Sequence, residues 1–215
     1  MPRELRPLVR ALSLRPTELA GRRAWHGPGV VAATLGVGPR AARRSTGLLL
    51  EASGASGVLV IGVAGACDPD LRVADVVNPV RVVDAADGTA FEPDAFLPGT
   101  AGAREGTLVT VARIGDPVPA GSWAVDMETA AVAAECAARG VPWDVRRAVS
   151  DVPGGLPAST ADLLRADGRV DVGGLVRLLV REPAKVGALV RLGRDTGRAV
   201  TAVTAAAAAA LGAHR

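Results

Sequence analysis

Short apolar runs alternate with helical stretches along the 215 residues of this chain. Residues 58–63 form a continuous apolar run, which is typical of a strand buried on both faces. The other predicted strands are residues 30–35, 75–83, 107–114 and 145–149. Helices are predicted at residues 41–52, at 128–139, where Gly140 gives a stop signal, and through most of residues 157–215.

This alternation of buried strands and helices favours the α/β class. We predict a three-layer sandwich around a central mixed, mostly parallel sheet. No linker and no internal repeat interrupts the chain, so residues 1–215 are predicted to form a single domain. Apolar residues make up 49% of the sequence, but the aromatic residues are only three Trp and two Phe. The core is therefore expected to consist of Ala, Val and Leu.

The composition argues against several classes of function. The formal net charge is only +3 and the arginines are scattered, which disfavours nucleic acid as a partner. Cys67 and Cys136 lie far apart, and His26 and His214 are the only histidines, so no metal site is predicted. No apolar run approaches the ~20 residues that span a bilayer. Two cysteines without a secretory segment fit a reducing compartment, and we expect a cytoplasmic protein.

Two acidic residues stand beside predicted strands and admit two interpretations each. Glu128 opens a predicted helix, where a carboxylate is favoured by the positive end of the helix dipole. It could instead accept hydrogen bonds from the two vicinal hydroxyls of a ribose, with Met127 packed on the sugar. Asp151 follows the predicted strand at residues 145–149 and could be a turn aspartate. It could instead be a partly desolvated acid whose raised pKa lets it protonate N7 of a purine.

Two glycine-bearing segments, residues 36–38 and 62–65, also follow predicted strands. Glycines at such positions allow backbone N–H groups to approach a ligand, although turn glycines serve the same geometry without one. The order Gly36-x-Gly38-x-x-Ala41 is similar to a dinucleotide fingerprint. That interpretation lacks the acidic residue expected about 20 positions later, because Glu51 comes too early. We expect these segments to lie with the two acids at the carboxyl ends of the strands.

The two acidic segments together closely resemble the nucleoside phosphorylase and nucleosidase superfamily. The resemblance rests on two sequence motifs, VDMETAAV at residues 125–132 and RAVSD at residues 147–151. This superfamily contains methylthioadenosine/adenosylhomocysteine nucleosidases, purine nucleoside phosphorylases and futalosine hydrolases. GVAGA at residues 62–66 resembles the family's glycine turn, and GVG at residues 36–38 resembles its loop near the 5′ side of the sugar. The resemblance extends over residues 4–155.

The resemblance implies a role for each matching residue. Asp151 would be the general acid at the adenine, and Glu128 would bind the ribose hydroxyls with Met127 against the ring. Arg147 would lie near the nucleophile, and Glu4 would activate water. The implied reaction is dissociative: adenine leaves as it gains a proton, and a ribosyl cation is captured from the opposite face. No cofactor is implied, apart from phosphate as a possible co-substrate.

Further residues are expected to line the same site. Gly62, Gly65 and Ser150 would contact the nucleoside, and Val37 would border its 5′ substituent. The family's base-stacking aromatic would fall near residues 115–118, where none is present. Adenine would then be held by aliphatic faces and backbone amides, with Val118 and Asp116 as the candidates there. A loop aspartate is the alternative interpretation of Asp116.

The choice between water and phosphate depends on two valines. Phosphorylases of the family place an arginine and a serine around the glycine turn, where this chain has Val60 and Val63. Aliphatic side chains cannot neutralise a phosphate dianion, so hydrolysis is favoured. A phosphate-dependent purine nucleoside phosphorylase is the alternative, with Arg40 or Arg147 compensating.

The two ends of the chain refine these expectations. The family has a β-strand before the helix that Glu4 would begin, and this chain starts three residues earlier, so either the start codon is assigned too late or that strand is missing. A missing strand favours a second alternative, an inactive nucleoside-binding homologue. Residues 156–157, 166–169 and 181–183 resemble the hopanoid-associated members, which are assigned to removing adenine from adenosylhopane. The resemblance also implies a homodimer.

Overall fold

The structure is a computed structural model and describes residues 5–152 and 186–213. The helices are α1 (Arg6–Ala11), α2 (Pro39–Ser53), α3 (Thr129–Arg139) and α4 (Val186–Ala213). The strands are β1 (Arg15–Leu19), β2 (Arg22–Gly27), β3 (Val30–Ala33), β4 (Val58–Ala66), β5 (Val76–Asp84), β6 (Ala90–Phe91), β7 (Arg104–Thr110), β8 (Ala124–Asp126) and β9 (Trp143–Asp151).

Strands β4 to β9 form one mixed sheet in the order β6-β5-β7-β8-β4-β9. Its two longest ladders, β4–β9 and β5–β7, are parallel. The sheet closes on itself because β9 also pairs with β5, in the antiparallel direction. Strands β1 to β3 form a separate antiparallel sheet. The predicted α/β class with a mixed sheet is confirmed.

The alternation of side chains along β4 places the sheet between two layers. Val60 and Ala64 pack in one cluster with buried residues of α2 and α3. Leu59 and Ile61 point to the other face and pack against a cluster that contains Ala207 of α4. Because consecutive side chains of a strand point to opposite faces, one strand contributes to both cores. Helices α2 and α3 cover one face, while α1, α4 and the small sheet cover the other.

Several boundaries differ from the prediction. Strands β1 and β2 were not predicted because polar and charged side chains interrupt them, so they lack a continuous apolar run. The strand predicted at 107–114 ends at Thr110, where the chain leaves the ladder. The run at 58–63 was expected to be buried on both faces, but Val60 alone among these residues is fully buried. Residues 153–185, which carry the motifs that resemble the hopanoid-associated members, lie outside the described residues.

Within the described ranges, no helix combines the length and the apolar character that crossing a membrane requires.

Candidate active site

A buried carboxylate, Asp126 at the end of β8, connects four elements of the fold. Its Oδ1 accepts a hydrogen bond of 2.6 Å from the hydroxyl of Thr110, the last residue of β7. Its Oδ2 accepts from the backbone N–H of Thr129 at 3.1 Å and from the Thr129 hydroxyl. The same oxygen accepts from Nη2 of Arg147 on β9. Every donor to Asp126 is itself buried, so the carboxylate is satisfied without water.

The Arg147 guanidinium fills space that a glycine leaves in the neighbouring strand. Arg147 stands opposite Gly62 in the β4–β9 ladder. A Cβ at Gly62 would lie 2.0 Å from Nη1 of Arg147, so any side chain there would force the guanidinium to move. The side chains of Arg147 and Asp126 are only 5% and 1% exposed. A charge buried this deeply is stable only when it is paired and hydrogen-bonded, and both conditions hold here.

Glu128 lies at the N-terminal boundary of α3 and is fixed by the glycine loop before α2. Its Oε1 accepts a hydrogen bond of 2.9 Å from the backbone N–H of Gly38. Gly38 has a φ of 86°, a conformation that favours glycine. Burial raises the pKa of the Glu128 carboxyl, while the charge of Arg147 and the Gly38 N–H oppose the rise. The loop predicted to approach the sugar therefore contacts the residue predicted to bind it.

Asp151 ends β9 in a partly buried position. Its Oδ1 accepts a hydrogen bond of 2.6 Å from the Ser150 hydroxyl. Burial raises the pKa of the Asp151 carboxyl, and the Ser150 hydrogen bond opposes this by stabilising the charged form. A Cβ at Gly65 would lie 3.1 Å from Oδ2 of Asp151, so this glycine leaves room for the carboxylate. The charge of Asp151 adds to the burial that raises the pKa of the Cys67 thiol.

Gly65 brings the two acidic segments together. It pairs with Val125 of β8 on one side and with Asp151 of β9 on the other. Residues 127 and 128 follow the carboxyl end of β8, which runs antiparallel to β4 and parallel to β7. The segments still meet because β8 is three residues long and pairs only with the last two residues of β4.

The remaining predicted residues are less constrained by contacts. Asp116 accepts a hydrogen bond of 2.8 Å from the backbone N–H of Arg113 and so closes its own turn, the role left open as its alternative. Val118 and Met127 are half-buried, and Val37 is 37% exposed beside Gly38. Contacts of these residues with a nucleoside stay predictions.

Val60 and Val63 lie in two different cores. Val60 is buried among residues that pack under α2 and α3. Val63 packs against Ala148 and Val203 on the opposite face of the sheet. Neither residue could present a polar group to an anion. Glu4, the predicted water-activating residue, lies outside the described residues, and its role stays a prediction.

Asp126, Thr110 and Thr129 were not singled out from the sequence. A signal for two of them exists, because Asp126 precedes Thr129 by three residues, the spacing of an N-terminal capping interaction. Thr110 gave no signal, since its contact with Asp126 depends on the pairing of β7 with β8. The position of Arg147 in a predicted buried strand was a further sign that a buried anion must accompany it.

Comparisons with known proteins agree with this fold. A sequence profile of the Phosphorylase superfamily matches residues 15–121. The 5′-methylthioadenosine/S-adenosylhomocysteine nucleosidase of Neisseria meningitidis, in complex with methylthio-immucillin-A, superposes with a TM-score of 0.71 and 19% identity, over 99% of this chain and 96% of that one. Native futalosine hydrolase of Helicobacter pylori gives 0.67 and 19%, over 99% and 94%. Residues 15–121 are thus similar in sequence to the phosphorylase superfamily, and the chain shares the fold of these nucleosidases.

Proposed function

We propose that this protein cleaves the N-glycosidic bond of an adenine nucleoside by hydrolysis and releases adenine. The proposal depends on one observation: burial raises the pKa values of two carboxyls, Asp151 and Glu128. They belong to two segments that Gly65 joins. Glycoside cleavage needs an acid for the leaving group and negative charge near a developing cation.

Asp151 is the general acid in this proposal. A raised pKa keeps a larger fraction of the carboxyl protonated near neutral pH, where an ordinary aspartate would have lost its proton. The protonated carboxyl donates to N7 of the purine, and the electrons of the glycosidic bond leave with the base. Ser150 fixes the rotamer of this side chain through its hydrogen bond to Oδ1.

Glu128 holds the sugar in this proposal. Its Oε1 is anchored by the Gly38 N–H, which limits the rotation of the side chain. A carboxylate offers about four acceptor positions, so Glu128 can also accept from two vicinal ribose hydroxyls. Its charge lies near the cation that forms as the base departs, and a water-poor site strengthens that attraction. Water completes the reaction, and we assign its activation to Glu4, with Arg147 near the nucleophile, as the sequence resemblance implies.

The names of the structural neighbours support an adenosine with a 5′ substituent. The neighbours from Neisseria meningitidis and Helicobacter pylori include nucleosidases for 5′-methylthioadenosine. We extend the proposal to a long-tailed substrate such as adenosylhopane. Two observations support this: the motifs in residues 156–183 that resemble the hopanoid-associated members, and the exposed Val37 beside Gly38. We also propose a cytoplasmic homodimer that needs no cofactor, as the sequence resemblance implies; light scattering of the purified protein tests the dimer.

Water is preferred over phosphate because Val60 and Val63 both pack into apolar cores. A phosphate dianion needs donors or positive charge close by. The Arg147 guanidinium already pairs with Asp126, and Arg40 is exposed on the first turn of α2. This arrangement favours hydrolysis, and the phosphorylase stays the second candidate.

The test is the release of free adenine from 5′-methylthioadenosine, adenosine and a long-tailed adenosine, each with and without inorganic phosphate. Phosphate-independent release is the expected result. Release that requires phosphate would overturn hydrolysis and make the protein a phosphorylase. No release from any substrate would overturn the enzymatic proposal and favour the inactive nucleoside-binding homologue.

A further inference from the structure

Thr129 makes more polar contacts through its side chain than a residue of a helical first turn needs. Its hydroxyl donates to Oδ2 of Asp126 and accepts from Nε and Nη2 of Arg147 at 3.2 and 2.6 Å. The residue is fully buried, so these bonds form out of contact with solvent. Thr129 also directly follows Glu128, the carboxylate that the proposed function assigns to the sugar.

We propose that Thr129 is a positioning residue for sugar recognition: its hydroxyl joins the start of α3 to the Arg147–Asp126 pair and thereby fixes Glu128. The proposal rests on the proposed function, because Glu128 binds the ribose hydroxyls only if that function holds. Thr129 itself is fully buried and acts through Glu128.

The backbone of Glu128 needs such an anchor. Glu128 has a φ of −133° and a ψ of −30°, outside the helical range, and its own side chain makes no capping hydrogen bond. The N–H groups at a helix start lack partners within the helix and fray unless other groups bind them. Here Asp126 accepts from the Thr129 N–H, and the Thr110 hydroxyl accepts from the Ala130 N–H at 2.9 Å.

The hydroxyl of Thr129, rather than its shape, makes this connection. Valine has almost the same volume and would leave a buried oxygen of Asp126 short of a donor and Arg147 short of an acceptor. Leaving buried polar groups unpaired costs more than the bond itself contributes. The pair would therefore rearrange or admit water, and the first turn of α3 would move with it. Serine keeps the hydroxyl and should restore the arrangement.

The first experiment compares Thr129→Val and Thr129→Ser with the wild type on adenosine and on 2′-deoxyadenosine. The quantity of interest is the preference for the ribonucleoside, expressed as the ratio of the two kcat/KM values. In Thr129→Val we expect this preference to fall about tenfold, the size of one lost hydrogen bond to a charged group. Thr129→Ser should retain it. A valine variant with lower stability but an unchanged preference would overturn the proposal.

A matched control separates positioning from general destabilisation. Thr46 is a buried threonine of α2 whose hydroxyl donates to the carbonyl of Ala42 at 2.9 Å. Thr46→Val removes an equally buried hydroxyl and should lower stability without changing the preference between the two nucleosides. If the valine variant does not fold, Thr129→Ala replaces it in the same comparison. The alanine variant removes the same hydroxyl without placing new apolar atoms beside Arg147.

A second readout does not depend on turnover. The ¹³C signal of the Glu128 carboxyl is followed by NMR through a pH titration of wild type, Thr129→Val and Thr129→Ser. A loosened Glu128 is better hydrated, so Thr129→Val should lower its pKa towards the ordinary glutamate value, while serine should not. An unchanged midpoint in Thr129→Val would overturn the positioning role. If the wild type releases no adenine, the proposed function fails, and this titration still decides whether Thr129 positions Glu128.

Discussion

Gly62 and Arg147 occupy paired positions on β4 and β9, and the arginine side chain crosses the strand where the glycine has no side chain. The glycine turn was expected to let backbone N–H groups approach a ligand. At Gly62 the Arg147 guanidinium takes the space where a side chain would lie: a Cβ there would be 2.0 Å from Nη1. Gly65 likewise leaves room for the Asp151 carboxylate, whose Oδ2 would lie 3.1 Å from a Cβ at that position. These glycines make room for charged side chains of the neighbouring strand.

Gly62→Ala should therefore destabilise the protein. The tip of an arginine usually moves away from a new methyl group, but Arg147 is held by Thr129 and Asp126 and cannot do so without breaking those bonds. We expect a loss of about 1–3 kcal/mol, the usual cost of overpacking, together with reduced adenine release. Urea unfolding measures the first and an activity assay the second.

Gly99→Ala is the matched control, because its nearest neighbour, Nδ2 of Asn78, would be 3.9 Å from the new Cβ. It should unfold within about 0.5 kcal/mol of the wild type. Equal stabilities of the two alanine variants would contradict the packing of Arg147 against Gly62.

The Arg147–Asp126 pair gives a second prediction. Asp126→Asn leaves the buried guanidinium without its countercharge, and breaking a buried pair by removing one partner costs about 3–5 kcal/mol. The double variant Asp126→Asn/Arg147→Met removes both charges and should lose less than the sum of the two single variants. Urea unfolding of all four proteins measures this coupling. Additive losses would mean that the two charges do not interact.

Much of the fold could be predicted from the sequence, because the buried strands are apolar runs. The apolar run at residues 58–63 predicted β4, and the acidic motif at residues 125–132 indicated the boundary between β8 and α3. Strands β1 and β2 could not be found in this way, since neither contains a continuous apolar run. The closure of the sheet between β5 and β9 is a long-range pairing that periodicity cannot reveal.

The candidate site was only partly visible in the sequence. The words around Glu128 and Asp151 identified the two carboxyls, and the 36–38 loop was expected near the sugar. The hydrogen bond from Gly38 to Glu128 joins residues 90 positions apart, so only the fold could show it. Asp126 was hidden for a different reason: it lies inside the recognised word, but its partners come from β7, α3 and β9.

Asp151→Asn should abolish adenine release without disturbing the fold. An amide cannot deliver the proton, and the loss of a general acid reduces turnover by about 10²–10⁴-fold. Asp84→Asn is the control, because Asp84 accepts from the backbone N–H of Ala86 in a turn and an amide oxygen can do the same. Single-turnover adenine release measures the effect. An Asp151→Asn protein with near wild-type turnover would contradict the acid assignment.

The same substitution should stabilise the protein at neutral pH. The folded pKa of Asp151 is raised by burial, so the folded state binds this proton more tightly than the unfolded state does. Stability from this group is fully present below the ordinary aspartate pKa and is lost as pH rises through the raised folded value. Asp151→Asn removes that loss. Its Tm should exceed that of the wild type at pH 7, and the difference should shrink as pH falls below the ordinary value.

The hydrogen bond between Ser150 and Asp151 gives a prediction about the pH profile of catalysis. Because Asp151 acts in its protonated form, kcat/KM should fall as pH rises above its pKa. The Ser150 hydroxyl stabilises the charged carboxylate, so Ser150→Ala should raise the pKa of Asp151 further and move the alkaline limb to higher pH. Ser45→Ala removes an equally buried serine hydroxyl, which donates to the carbonyl of Leu35 at 2.6 Å, and should leave the limb in place. A shift of the Ser150→Ala limb to lower pH would mean that a different group delivers the proton to the base.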